Sequence, residues 1–214
     1  MSVVSVLWAV TTPMLIVGLF FWVGGLVVLF VVFAGLALML LVSDAFVNQC
    51  HYCWAFTLFI LSEVFLFFSF LHGSSWFYSG DWVSVSDAIE LPLVGCFLLL
   101  GSSISITAFH HVMSWHRSQI LLCATAVLEA VFLLLQFVEF SGAPPSSFFN
   151  GFYSSCLATV GLHFSHVLVG VFLMVLALIL GVHRVGSYFC TVLTWYWHFV
   201  DYIWLLVYAL IYVC

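Results

Sequence analysis

The residues able to do chemistry in this sequence are acids and imidazoles set inside apolar runs. His198 and Asp201 stand three apart within Trp195-Tyr196-Trp197-His198-Phe199-Val200-Asp201-Tyr202-Ile203-Trp204, a spacing that puts both on one face of a helix. Glu63 lies in Leu58-Phe59-Ile60-Leu61-Ser62-Glu63-Val64-Phe65-Leu66-Phe67-Phe68, with about two turns of apolar helix on each side. An ionisable group at membrane depth is costly, so it faces protein or trapped water and marks an ion path or a structural tie. Glu63 therefore reads in one of two ways. It is a proton-binding or lipid-organising carboxyl, or a neutral acid that ties its helix to a neighbour without a counter-ion. Asp201 is expected to be buried and hydrogen-bonded, with His198 or a polar residue of another helix as its partner.

Other polar groups follow the same pattern. Gln136 and Glu139 are three apart near the end of an apolar run and read as a polar contact within a bundle. Gly161-Leu162-His163-Phe164-Ser165-His166 places two imidazoles on one helix face. Paired histidines can ligate haem or a metal, with His198 or His110 as further ligands. No HExxH pattern accompanies them, and hydrogen-bonded packing is the simpler reading. Cys50-His51-Tyr52-Cys53 has CxxC spacing, but no second CxxC completes a zinc site. The remaining cysteines are scattered and read as small apolar residues.

The elements that hold these groups are set by hydropathy. Of 214 residues, 66% are hydrophobic and 5% charged, and the mean hydropathy is +1.34. A soluble domain carries about 25% charged residues, so this is an all-α, polytopic membrane helix bundle. The chain has two arginines and no lysine, so it offers no basic patch for nucleic acid. Met1 to Trp8 resembles neither a signal peptide nor a transit peptide.

A spanning helix needs about 20 mostly apolar residues. Five such runs stand out: 54–75, 91–109, 118–140, 152–181 and 191–213. The first 42 residues are uncharged and read either as one long tilted helix or, since Gly24-Gly25 is a turn signal, as two spans over 5–22 and 26–42, the reading favoured here. Ser43-Asp44 and Asn48-Gln49 form the expected exit. Seven transmembrane helices result, with a two-helix segment over 1–45 and a five-helix bundle over 46–214.

Arg117 and Arg184 are two spans apart and share one side of the membrane. Asp81, Asp87 and Glu90 fall on the other. The positive-inside rule puts the arginines on the cytoplasmic or matrix side, with the N-terminus inside and the C-terminus outside. His110, His111, Arg117, Arg184, Trp195 and Trp197 are the residues expected at lipid head groups or on the inner face. No internal repeat supports an inverted-repeat transporter.

These motifs resemble a known family. The run Trp195 to Asp201, followed by Trp204 and Ile211-Tyr212, is similar to the C-terminal signature of cytochrome c oxidase subunit III. The other motifs occur in order: Phe59-Ile60-Leu61-Ser62-Glu63-Val64; Ser103-Ile104-Ser105-Ile106-Thr107-Ala108 with His110-His111; Leu135-Gln136 with Glu139 and Ala143-Pro144; and Gly161, His163, His166 and Gly170. The resemblance covers residues 52–213. Thr191 stands where the family usually carries an acid ahead of Trp195, and Gly142 where a second acid would follow Glu139.

The resemblance implies a seven-helix subunit whose first two helices lean away from the other five, with phospholipid of the cardiolipin, phosphatidylethanolamine or phosphatidylglycerol class between them. It implies a chain with no haem or copper of its own, those groups being held by partner subunits. The chain would pack mainly on subunit I, with subunit II and accessory subunits nearby, and would support proton uptake and repeated turnover. The expected location is the mitochondrial inner membrane, with a bacterial plasma membrane and a quinol oxidase subunit III as alternatives. Two readings from other classes compete: an independent proton channel using Glu63 and Asp201, and a bis-histidine haem carrier.

Overall fold

The computed structural model describes residues 3–21, 23–47, 53–78, 86–113, 115, 117–142 and 151–213. Among them every regular element is helical: α1 (Val3–Phe20), α2 (Gly24–Val47), α3 (Cys53–Trp76), α4 (Leu91–His111), α5 (Ser118–Gly142), α6 (Gly151–Leu180), the short α7 (Val182–Val185) and α8 (Ser187–Val207). A π-helical run, Tyr208–Val213, continues α8. Backbone groups in lipid must be satisfied within the chain, and helices do this residue by residue. Seven of the helices are long: α1–α6 and α8. Helices α3, α4, α5, α6 and α8 are each long and apolar enough to cross a membrane, and the chain is a multi-pass membrane protein.

Contacts divide the chain into two units, Met1–Tyr52 and Cys53–Cys214. In the first, α1 packs along α2. The break between them falls at residues 21–23, ahead of the glycine pair, and Gly24-Gly25 opens α2 instead of forming the turn. Without a Cβ, glycine is tolerated at a helix start, where few intrahelical bonds depend on it. Nor does the helix end at Ser43-Asp44; α2 runs on to Val47. Asn48, Gln49, Cys50, Asp81, Ala143 and Pro144 lie outside the described residues.

In the second unit α6 packs on α3, α5 and α8, while α4 packs on α5 and α8. Helix α8 is therefore held between α4 and α6. Its inward side carries the fully buried Trp197 and Trp204, which share one core with Phe109, Phe132 and Met174. Two glycines reverse the chain between α6 and α8. Gly181 has φ +84° and Gly186 φ +89°, conformations that a side chain disfavours, and α8 begins directly after the second. At the far end Tyr208 donates its hydroxyl hydrogen to the carbonyl of Ala88, 3.2 Å away, tying the C-terminal run to the lead-in of α4.

The antiparallel order collects the ends of the helices into two sets. His110, His111, Arg117 and Arg184 gather where α4 and α6 end and α5 and α8 begin. Asp87, Glu90 and Glu139 gather at the other end.

Candidate functional site

Glu63 sits near the middle of α3, and its partner comes from α6. The Glu63 Oε2 to His166 Nε2 distance is 3.1 Å, with side-chain exposures of 20% and 13%. The opposite nitrogen, His166 Nδ1, lies 2.8 Å from the Leu162 carbonyl. A carbonyl only accepts, so Nδ1 carries a hydrogen. The contact to Glu63 then needs one proton, held either on the carboxyl or on Nε2. With none, a carboxylate would face a nitrogen lone pair. With the Nδ1 hydrogen and this shared one the pair carries no net charge, and Glu63 has the polar partner that its apolar sequence context did not reveal. Of its bulky neighbours only Phe67 is buried; Phe59, Phe65 and Phe68 are exposed.

The His166 ring is enclosed by Phe67, centroid to centroid 5.2 Å, and stacks on Tyr196 at 6.4 Å. Tyr196 also donates its hydroxyl hydrogen to the His166 carbonyl, 3.1 Å away. Beside the pair a groove of about 330 Å³ is lined by Phe56, Phe59, Val169, Leu173, His166 and Tyr196 among others.

His163 turns elsewhere. Its Nε2 donates to the Val200 carbonyl at 3.2 Å, and its ring packs on Trp204 at 4.9 Å and on Phe132 at 5.8 Å. Three residues on a helix turn through 300°, so neighbours at this spacing diverge by about 60°. That divergence sends His166 to α3 and His163 to the core between α5 and α8. The two rings do not converge on a common point.

His198 and Asp201 also part. His198 lies in the seam between α8 and α4, with Nδ1 3.0 Å from Ser103 Oγ and Nε2 3.2 Å from Thr107 Oγ1. Thr107 spends its hydrogen on the Ser103 carbonyl, 2.7 Å away. It therefore accepts from Nε2–H, and Ser103 donates to Nδ1. Asp201 is buried as expected, at 3% exposure, but neither carboxyl oxygen has a hydrogen-bond partner. The Ser103 hydroxyl is its polar neighbour and is already committed to His198.

Gln136 and Glu139 do meet: Gln136 Nε2 donates to Glu139 Oε2 at 2.6 Å, and Ser86 donates to Oε1 at 2.7 Å. His110 Nε2 lies 3.3 Å from Thr191 Oγ1, and Thr191 passes its hydrogen to the Ser187 carbonyl. The threonine accordingly accepts from the imidazole. His111, Arg117 and Arg184 are exposed at the same end, and Trp195 is exposed further along α8. Trp197 is not. It is fully buried, with Nε1–H on Ser102 Oγ at 3.0 Å. Two residues along a helix point to nearly opposite sides, so only one of Trp195 and Trp197 can face the membrane.

One acid escaped the sequence reading. Glu129 lies in the middle of α5 and is completely buried, and neither carboxyl oxygen has a hydrogen-bond partner. Its polar surroundings are the Ser102 hydroxyl and, through space, Asp201. The signal was available, since an acid flanked by Leu128 and Ala130 inside a span satisfies the criterion applied to Glu63.

Fold and site together define a polytopic helical membrane protein whose interior is stitched by isolated polar contacts, with a carboxyl–imidazole pair at mid-span. The chain belongs to the cytochrome c oxidase subunit III family: the model described as "Cytochrome c oxidase subunit III" matches residues 7–214. Among curated proteins, cytochrome c oxidase subunit 3 of Myxine glutinosa is 34% identical over 72% of this chain and 66% of its own length. The protein of the same name from Papio hamadryas is 34% identical over 74% and 68%, and that of Dasypus novemcinctus 35% over 72% and 66%. The chain spans about two thirds of the length of these relatives.

Proposed function

We propose that the chain acts as the non-catalytic subunit III of a cytochrome c oxidase in the mitochondrial inner membrane, where it stabilises subunit I, supports proton uptake and holds phospholipid. Family membership supports the role. The observation that carries it at residue level is the Glu63–His166 pair at 3.1 Å. This pair joins α3 to α6 beside the apolar groove. It adds no net charge to the bilayer and keeps both walls of the groove in register for an acyl chain. In this role the chain holds no haem or copper; His163 and His166, the histidines best spaced for one, serve different helices. Haem and copper belong to the partner subunits, and phospholipid is the ligand of this one.

The pair gives a test. Glu63→Gln keeps a donor for His166 Nε2, so the subunit should stay in the purified complex and turnover should continue. Glu63→Leu leaves a largely buried nitrogen unpartnered, at a cost of about 1–3 kcal/mol, and should release the subunit and its lipid. Turnover, proton uptake and subunit retention are measured together. Equal slowing of proton uptake by both variants, with full retention, would refute this structural role and favour a proton relay through Glu63.

A further inference from the structure

The outer side of the seam between α4 and α8 carries a polar row at mid-span. Thr107 and His198 begin it, joined at 3.2 Å. Tyr202 follows one turn along α8, its ring 6.4 Å from the imidazole. At about 1.5 Å per residue, Tyr202 lies about 22 Å from Ser187, where α8 starts, and about 16 Å from Val213, where its π-helical continuation ends. Tyr202 is 67% exposed. Trp195, one heptad earlier, extends the exposed stripe toward the Arg184 end, and Leu206 extends it the other way. On α4, Phe97 and Ile104 stand one heptad apart and are exposed as well.

Tyr202 holds the open hydrogen of this row. Ser103 gives its hydrogen to His198 Nδ1, His198 Nε2 donates to Thr107, and Thr107 donates to the Ser103 carbonyl. Among the described residues no group accepts the Tyr202 hydroxyl hydrogen. Exposed serines of the spans do not share this problem: Ser62, Ser69 and Ser165 donate to carbonyls of their own helices at 2.7 Å. Tyr196 and Tyr208 donate to carbonyls across the bundle at 3.1 and 3.2 Å. A serine can fold back on its own turn; a rigid phenol cannot. Acyl chains offer no acceptor, so a bare hydroxyl at this depth costs free energy, and polar groups inside a bilayer face protein. The acceptor therefore comes from another chain. Its charge follows from the face. His198 is neutral in this network, because Nδ1 accepts, and Arg117 and Arg184 lie outside the spans, ahead of α5 and in α7. A carboxylate opposite Tyr202 would be unbalanced, so the acceptor is a neutral oxygen.

We propose that the α4–α8 face centred on Tyr202 docks a membrane helix of another subunit, one that sets a neutral oxygen (a side-chain amide, a hydroxyl or a freed backbone carbonyl) opposite the phenol. Helices in lipid are held together by close packing and interhelical hydrogen bonds. This face supplies both, with Tyr202 as donor and Ile104 and Phe97 as apolar contacts. The docking rests on the reading of the chain as one subunit of a membrane complex. It uses α4 and α8, whereas the Glu63–His166 pair joins α3 to α6.

The test compares Tyr202→Phe with wild type, each as the full chain in the complex with which it copurifies. The dissociation constant of the subunit, measured by detergent titration of the complex, should rise about fivefold, as for one lost hydrogen bond. The unfolding midpoint of the released chain in SDS mixed micelles should not fall, because nothing within the chain bonds this hydroxyl. An unchanged dissociation constant would overturn the proposal, since a phenol facing lipid loses nothing on becoming phenylalanine. A matching drop in the unfolding midpoint would assign the hydroxyl to a contact inside this chain and overturn it too. A second arm places the photo-crosslinker p-benzoylphenylalanine at position 202, irradiates the intact complex and sequences the adduct by mass spectrometry. An adduct within a membrane span of a different subunit is expected; adducts with lipid alone, or with a second copy of this chain, would overturn the docking and leave the subunit role standing. A wild-type chain that purifies without any partner would overturn the subunit role and the docking together.

Discussion

Gly170 sets how closely α6 can approach α8, and Gly170→Ala tests that contact. A Cβ built at this position would meet Trp197 Cζ3 at 2.5 Å and Cε3 at 2.8 Å, with Tyr196 Cε1 at 3.6 Å. Carbon atoms pack best about 3.5–4.0 Å apart, so the indole or a helix must yield by about 1 Å. The indole has little freedom, being 0% exposed with Nε1–H on Ser102 Oγ at 3.0 Å. Overpacking a core by a methyl costs roughly 1–3 kcal/mol, and displacing the indole adds about 1 kcal/mol for the lost hydrogen bond. The expected destabilisation is about 2–4 kcal/mol. Small residues at such crossings let membrane helices approach closely, which explains why a glycine is needed inside a span. The assay is circular dichroism of the full chain during unfolding in mixed micelles of rising SDS fraction. Trp197→Phe removes Cζ3 and should relieve part of the clash, so the double variant should be less destabilised than the sum of the singles, by about 0.5–3 kcal/mol. Equal unfolding midpoints for Gly170→Ala and wild type, or strictly additive effects in the cycle, would refute this account of the α6–α8 contact.

Glu129 and Glu63 should respond in opposite ways. Glu129 is buried without a hydrogen-bond partner, so Glu129→Met, which keeps much of the volume and removes an unsatisfied group, should leave the unfolding midpoint unchanged or raise it; a loss above about 3 kcal/mol would show a partnered charge there. Topology gives a further expectation. Tags at Met1 and Cys214 should report opposite sides of the membrane, with Met1 on the side of Arg117 and Arg184; both tags on one side would rule out seven spans.

What the sequence determined alone was where the long helices lie, five of them long and apolar enough to cross a membrane. Apolar length, turn residues and the placing of charge are local properties, and a bilayer filters on them directly. The expected run over 118–140 became Ser118–Gly142, and that over 152–181 became Gly151–Leu180. Errors fell at ends, as at Gly24-Gly25 and Asp44, where one turn more or less of helix changes little energy. The order of motifs also placed the chain in its family before any fold was known.

Tertiary structure decided which polar groups meet. These helices are apolar on every side, so composition does not tell a lipid-facing stripe from a protein-facing one. The spacing of His198 and Asp201 suggested a pair, yet His198 bonds Ser103 and Thr107 while Asp201 turns inward without a hydrogen bond. The spacing of His163 and His166 suggested a shared task, yet they serve different helices. Trp197 resembled its neighbour Trp195 in sequence and lies in the core. Each outcome depends on the rotation of one helix against another. That rotation is fixed by close approaches such as Gly170 on Trp197 and by hydrogen bonds between residues as distant as Glu63 and His166. Such long-range geometry leaves no periodic mark in the chain.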